Sequence, residues 1–444
     1  MDLFQASAAL LTLAALFGYL NHRFVKLPNT IGVMLIALIS SVGVLWLGQI
    51  DDRPTEAAYA LLGSIDFNKT LMQGMLGFLL FAAALHVNVA ELRKHRAVIA
   101  ILASGGVILS TLLVAGLTHV VLGLFGIELP FIYCLLFGAL ISPTDPIAVL
   151  GILKHAGAPK ALEMKITGES LFNDGVAVVL FLGLLEIATG GVAFDAGRLT
   201  MLFLQEAVGG AVFGFAIGWV ALRLLRTIED YKLEVLITLA CAAGGYAAAY
   251  ALHLSGPIAM VVAGLFIGTE ARAGAVSSTS RVYLDHFWEL IDETLNAVLF
   301  VLIGLELLLI TFTPTYAVVS VIAFGVMIFA RFVAIALPIT LMRKRKTFTK
   351  GAVKILTWGG LRGGVSVALA LSIPMVTASG DVVAAREIII SITYGVVVLS
   401  IVGQGLTIAP LLSRSIAKVG EEEAAAEAQL EAANDDPPPA TAVG

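Results

Sequence analysis

The 444-residue chain is 59% hydrophobic and 13% charged, with a mean hydropathy of +0.97. Soluble domains carry about 25% charged residues, so this composition excludes a water-soluble globular protein and points to a polytopic membrane protein. The formal charge of −5 is misleading about partners: from Glu421 onward there are seven acids and no Lys or Arg, and without them the body is +2.

A helix needs about 20 apolar residues to span a bilayer. Runs of spanning length fall at about 3–21, 28–48, 70–87, 97–122, 129–153, 164–188, 200–225, 233–252, 257–270, 288–311, 315–342, 350–374 and 385–413, so thirteen helices are predicted, 257–270 being the shortest. The first run spans and lacks a basic start, so it reads as a helix and not a cleaved leader.

Loop charges test the count. One set of alternate loops holds Arg23/Lys26, Arg93/Lys94/Arg96, Lys154/Lys160/Lys165, Arg223/Arg226/Lys232, Arg272/Arg281, the Arg343–Lys354 group and Arg414/Lys418, which is 21 of the 27 basic residues. The other set holds four, Arg53, Lys69, Arg198 and Arg386, and the remaining two, Arg331 and Arg362, lie inside segments. Basic loops stay cytoplasmic, which predicts an integral protein of the plasma (inner) membrane with its N-terminus outside and its C-terminus inside. The longest outside loop, 49–69, is about twenty residues and leaves no room for a soluble domain.

Taken in chain order, His86 reads as an interfacial histidine near a cytoplasmic end. The fifth segment contains Ser142, Pro143, Thr144, Asp145 and Pro146. Two prolines within four residues cannot continue a helix, and Pro146 suits the first turn of a new half-helix with Asp145 or Thr144 as its cap. Freed backbone groups at membrane depth are tolerated where they line a cavity or meet protein, and broken helices of this kind build cation sites.

The sixth segment carries Glu169, Ser170, Asn173 and Asp174 where hydrocarbon is expected. Each charge at a bilayer centre costs about 2.5–3.5 kcal/mol on insertion scales, so such residues mark ion or proton pathways by default. Ser170 and Asp174 share a face, while Glu169 and Asp174 diverge by about 140° at 100° per residue. The two acids therefore meet different neighbours.

Glu206, Glu234 and Glu306 read as packing or interfacial residues, with a cavity-facing position as the alternative. Asp292 and Glu293, near a cytoplasmic end, read as solvated charges, with an entrance funnel as the alternative. Arg331 and Arg362 each need an anionic or carbonyl partner. Gly359, Gly360, Gly363 and Gly364 flank Arg362, so the twelfth segment reads as a second interrupted helix. It stands seven segments after the first broken one. That odd offset reverses its direction, as inverted repeats of six with a linker helix would. The Arg343–Lys346 run is a topology anchor with anionic lipid as a further contact, and 419–444 reads as an acidic, disordered cytoplasmic tail.

Cys134 and Cys241 fit small core positions, with no zinc spacing or redox pair. No nucleotide-binding loop, zinc motif, nucleophile motif or ATPase module is found, so no enzyme, cofactor or nucleic-acid partner is expected. Transport would draw on an ion gradient.

Ser142 through Pro146, Gly168 through Asp174, Ala330–Arg331 and Gly359 through Gly363 together resemble, in order, the landmarks of the cation/proton antiporter 1 family. That family includes bacterial sodium/proton antiporters and animal sodium/proton exchangers, and the resemblance covers about 1–415. It implies a thirteen-helix all-α fold with inverted repeats and two broken crossing helices. It also implies a homodimer, with a core bundle at about 97–188 and 315–413 and dimerisation or scaffold helices at about 1–87 and 200–311, together the 1–418 transporter. Asp174 would take either cation or proton, with Ser170 and Thr144 as co-ligands of the transported ion. Asn173 would hold the unwound backbone near Thr144, Glu169 would pair with Arg331, and Asp145 and Arg362 would compensate half-helix dipoles. In one respect the chain departs from the pattern: where some members carry an acid in the third segment, Leu79, Leu80 and Phe81 are followed by Ala82.

The expected activity is electroneutral one-for-one exchange of sodium, with lithium, for protons at a single shared carboxylate. Asn173, where related antiporters carry a second aspartate, removes one titratable charge. Potassium/proton exchange on the same scaffold is the alternative, and an ion channel, lacking any filter loop here, a distant one.

Overall fold

A computed structural model describes residues 3–145, 149–150, 153, 160–190, 196–310, 313–342, 351–377 and 379–412. Helices dominate it: α1 Leu3–Leu20, α2 Asn29–Leu47, α3 Arg53–Gly63, α4 Phe67–His86, α5 Val89–Leu124, α6 Phe131–Ile141, α7 Lys160–Thr189 and α8 Ala196–Leu225. After these come α9 Tyr231–Ala251, α10 Gly256–Glu270, α11 Ser278–Glu306, α12 Pro314–Met342, α13 Ala352–Trp358, α14 Gly364–Leu371 and α15 Ala385–Leu412. Among the described residues ten helical stretches are long and apolar enough to cross a membrane, and the shorter α6, α13 and α14 are the halves left by breaks in the chain.

Local chemistry sets the boundaries. Asn88 Oδ1 accepts from the backbone N–H of Ala90 and Glu91 at the start of α5, Asp230 accepts from Lys232 at the start of α9, and Ser277 from Ser280 at the start of α11. Each satisfies amides that a helix start leaves without partners. The outer loop predicted at 49–69 contains the amphipathic α3, with Pro54 in its first turn.

Two apolar clusters hold the bundle. The smaller centres on fully buried Trp288 of α11, whose ring lies 4.7 Å from that of Phe81 and whose Nε1 donates to Thr238 Oγ1 at 3.0 Å. Here α4, α9 and α10 meet α11, and Ala82 is fully buried among them. The larger joins α2 to α6, α7 and α12 through α15. Lys165, counted above with the loop cations, instead lies on α7 and is only 3% exposed, because that helix begins at Lys160, one turn before the apolar run. The half-helix start at Pro146, the basic run 343–346 and the tail 419–444 lie outside the described residues.

Candidate ion-binding site

The site forms where two interrupted helices cross. α6 ends at Ile141; Pro143 has no N–H with which to continue it, and the chain runs on without regular structure to the bridge at Asp145. α13 ends at Trp358, and glycines carry the chain through Leu361 and Arg362 to α14. Asp145 N donates to Leu361 O at 2.8 Å, in an antiparallel bridge. The unwound stretches thus satisfy part of each other's backbone, which a break inside a membrane helix would otherwise leave open. Glycine at 360 is required by close approach: a Cβ there would stand 2.7 Å from Arg331 Nε and 3.1 Å from Thr144 Cγ2.

Arg362 is fully buried and serves the crossing from both ends. Its NH1 donates to Ser142 O and Pro143 O, each at 2.8 Å, so a guanidinium covers the carbonyl end of α6, where the helix dipole is negative. Its backbone N–H donates to Ser400 Oγ at 3.0 Å, Ser400 Oγ donates to Gln404 Oε1 at 2.5 Å, and Gln404 Nε2 donates to Trp358 O at 2.9 Å. Ser400 and Gln404 bound a π-helical turn in α15, so one irregular helix fastens the other's break on both sides.

α7 supplies the polar side chains. Asn173 Nδ2 donates to Thr144 Oγ1 at 2.8 Å, and Ser170 Oγ lies 3.0 Å from the same hydroxyl. Around the helix, Glu169 pairs with Arg331 NH1, and Arg331 NH2 donates to Leu356 O at 3.3 Å. That pair is buried, Glu169 being 1% and Arg331 7% exposed. Thr144, Ser170 and Asn173 therefore form one group, and Glu169 with Arg331 another. Asp174 joins neither: among the described residues it makes no hydrogen bond or ion pair, although Asp145 and Arg362 lie within electrostatic reach.

Asp174 faces a cavity of about 590 Å³, lined also by Thr144, Asp145 and Ser170. A second wall comes from α11, with Asp285, Glu289, Asp292, Glu293 and Asn296. At the exposed mouth His86 Nδ1 lies 3.8 Å from Asp285. Asp292 and Glu293 thus face the cavity that also holds Asp174, while Asn296, Ser400 and Gln404 were missed by the sequence reading. Their signal was polar side chains at intervals of three or four in apolar helices. Glu234 and Glu306 are buried away from this cavity, and Glu206 is half-buried on α8.

The arrangement offers a hard, oxygen-rich position: a carboxylate, two hydroxyls and unwound backbone, without nitrogen or sulfur ligands. Such a set suits a hard cation.

Comparison with known proteins agrees in extent and type. A family model described as "Sodium/hydrogen exchanger, transmembrane" matches residues 11–414. The Na(+)/H(+) antiporter NhaP of Pseudomonas aeruginosa is 48% identical over 412 residues, covering 92% of this chain and 96% of that one. The Na(+)/H(+) antiporter NhaH of Halobacillus dabanensis is 32% identical over 399 residues, covering 88% and 93%. The solved structure of the sodium proton antiporter MjNhaP1 from Methanocaldococcus jannaschii at pH 8 superposes with a TM-score of 0.71 at 19% identity, covering 93% of this chain and 99% of that one.

Proposed function

Since this integral membrane protein belongs to the sodium/hydrogen exchanger transmembrane family, we propose that it exchanges sodium, and lithium, for protons one for one at Asp174. One observation carries the reading. Every polar side chain around Asp174 on α7 is engaged, Glu169 by Arg331 and both Ser170 and Asn173 by Thr144, while Asp174 alone faces the cavity without a bonded partner among the described residues. A carboxylate without a bonded partner inside a membrane helix is costly as a bare anion. A proton neutralises it, and so does a monovalent cation completed by Ser170, Thr144 and nearby carbonyls. The two cannot occupy it together, so loading one releases the other.

Glu169 and Arg331 pair and hold α7 to α12. Asn173 fixes Thr144 beside the cation position. Asp145 and Arg362 balance the half-helix ends at the crossing. With Asn173 neutral, one charge crosses in each direction and the cycle is electroneutral. The region 97–188 with 315–413 would move as the core against a dimerising scaffold of 1–87 and 200–311. The basic loops put the N-terminus outside the plasma membrane and the C-terminus in the cytoplasm.

Purified protein in proteoliposomes, with a lumenal pH dye and additions of sodium, lithium or potassium, tests this. Sodium and lithium should each discharge an imposed pH gradient, at a rate that does not follow clamped membrane voltage. Asp174→Asn should abolish the signal. Normal exchange by that variant removes Asp174 from its role, a voltage-driven rate removes electroneutrality, and a response to potassium alone replaces the substrate.

A further inference from the structure

The polar residues of α11 form a stripe that the exchange reading leaves unused. Asp285, Glu289, Asp292 and Asn296 follow at intervals of four, three and four, so they share one helix face, and that face lines the cavity. The stripe covers twelve residues, about 16 Å of helix rise, and leads inward. Asp285 is 37% exposed at its side chain, Asp292 is partly buried and Asn296 is 2% exposed.

Its inner end has the makings of a ligand set. Asn296 Nδ2 donates back to Asp292 O at 2.8 Å and to Asp292 Oδ1 at 3.1 Å. That orients the amide, and its other atom, Oδ1, is buried without a hydrogen-bond partner. An orphaned buried carbonyl oxygen is unfavourable unless a donor or a cation meets its lone pairs. Asp292 leaves its second carboxylate oxygen outside the Asn296 bond. Across the cavity, Asp145 acts electrostatically on both Asp292 and Asp174. Asp145 thus repels both carboxylates; Arg362 offsets this at Asp174, whereas Asp292 has Glu293 and Glu289 as further like charges.

We propose that Asp292 and Asn296 form a second position for a monovalent cation, on α11 rather than on the crossing, from which the ion passes to Asp174. Carboxylate and amide oxygens are hard donors. The ligand class is therefore sodium or an ion like it, held more weakly than at Asp174 because fewer oxygens converge. Nothing in the transported-ion position proper requires these residues. They bring a cation to Asp174 partly dehydrated, and they would set the apparent sodium affinity from the cavity side. The proposal rests on the exchange reading for its purpose but not for its test, since binding is measured without transport.

The test is equilibrium binding of 22Na+ to immobilised, detergent-purified protein, with unlabelled sodium as competitor and melting temperature as the check of folding. Asp174→Asn should retain displaceable 22Na+ binding, about tenfold weaker than wild type, which is a change of about 1.4 kcal/mol. Adding Asp292→Asn should reduce that remaining binding at least fivefold. Adding Asn296→Ala instead, which leaves every charge in place, should weaken it about threefold; it decides the matter if the aspartate variant does not fold. Loss of all binding in Asp174→Asn alone would overturn the second position. So would binding that survives both additions unchanged. Absence of sodium/proton exchange by the wild type would refute the functional reading while leaving these binding outcomes to be scored separately.

Discussion

Asn173 donates its side-chain amide to the Thr144 hydroxyl at 2.8 Å, which joins a long membrane helix to the unwound stretch of another. The amide also leaves α7 with one carboxylate at this level of the cavity, Asp174, and not two. Replacing it with an acid alters both properties at once, and the two effects separate by measurement.

Asn173→Asp removes the donor to Thr144 and adds a titratable charge beside Asp174. The hydroxyl can turn to donate to the new carboxylate, so folding should change little, by about 1 kcal/mol. The transport cycle should change more, because a second charge now crosses with the ion. Exchange by Asn173→Asp in vesicles should speed up or slow down with an imposed membrane potential while the wild type does not. A voltage-independent rate in both proteins would show that position 173 does not govern stoichiometry.

The Glu169–Arg331 pair predicts a pattern in stability rather than in rate. Removing one member of a buried pair strands the other, at a cost of about 3–5 kcal/mol, whereas replacing both with apolar side chains is often close to neutral. Arg331→Met and Glu169→Met should each lower the melting temperature in detergent sharply. The double variant should regain most of the loss, falling short by about 1 kcal/mol because Leu356 O loses its donor as well. Additive losses in the double variant would mean that the pair contributes through separate contacts.

How much of this was open to a reader of the sequence depends on whether the cause is local. The breaks at Pro143 and around Arg362 were legible because proline and glycine act on their own backbone wherever they stand. Glu169 and Asp174 were legible because carboxylates inside an apolar run have no cheap alternative. The α11 stripe was not. That helix starts at Ser278, ten residues before its apolar run, since a helix with one face on a cavity does not need hydrocarbon all round. Asp285 consequently falls outside the predicted segment, and Glu289 at its edge was not singled out. Ser400 and Gln404 were hidden for another reason: their partners, Arg362 N and Trp358 O, are some forty residues away, and only the packed bundle brings them together.

Close helix packing provides a prediction with an internal control. A Cβ on Gly214 of α8 would come 2.2 Å from Ala259 O, a backbone atom of α10 that cannot swing away, whereas a Cβ on Gly244 meets nothing within 4 Å. Gly214→Ala should therefore destabilise, by about 1–3 kcal/mol as an overpacked contact does. Gly244→Ala should stabilise by about 0.5–1 kcal/mol, because alanine is the better helix former. Melting temperatures of the two purified variants should move in opposite directions, and a fall for both would contradict the open space beside Gly244.

Arg362 separates geometry from charge. One NH1 group serves both Ser142 O and Pro143 O, while Nε and NH2 have no hydrogen-bond partner among the described residues. If its role is only to cover the carbonyl end of α6, a lysine should do nearly as well, since an ammonium carries three donors and the same charge. If the planar guanidinium also spreads its charge toward Asp174 and Glu169, which both lie within its electrostatic reach, a compact ammonium drawn to the carbonyls will not replace it. The depth of the site favours the second outcome, because interactions there are little screened. Arg362→Lys should fold with a melting temperature within a few degrees of wild type, yet exchange sodium for protons at least tenfold more slowly. Arg362→Gln keeps an amide NH2 but loses the charge, and it should lose both stability and exchange. Wild-type rates in Arg362→Lys would reduce this arginine to a helix cap.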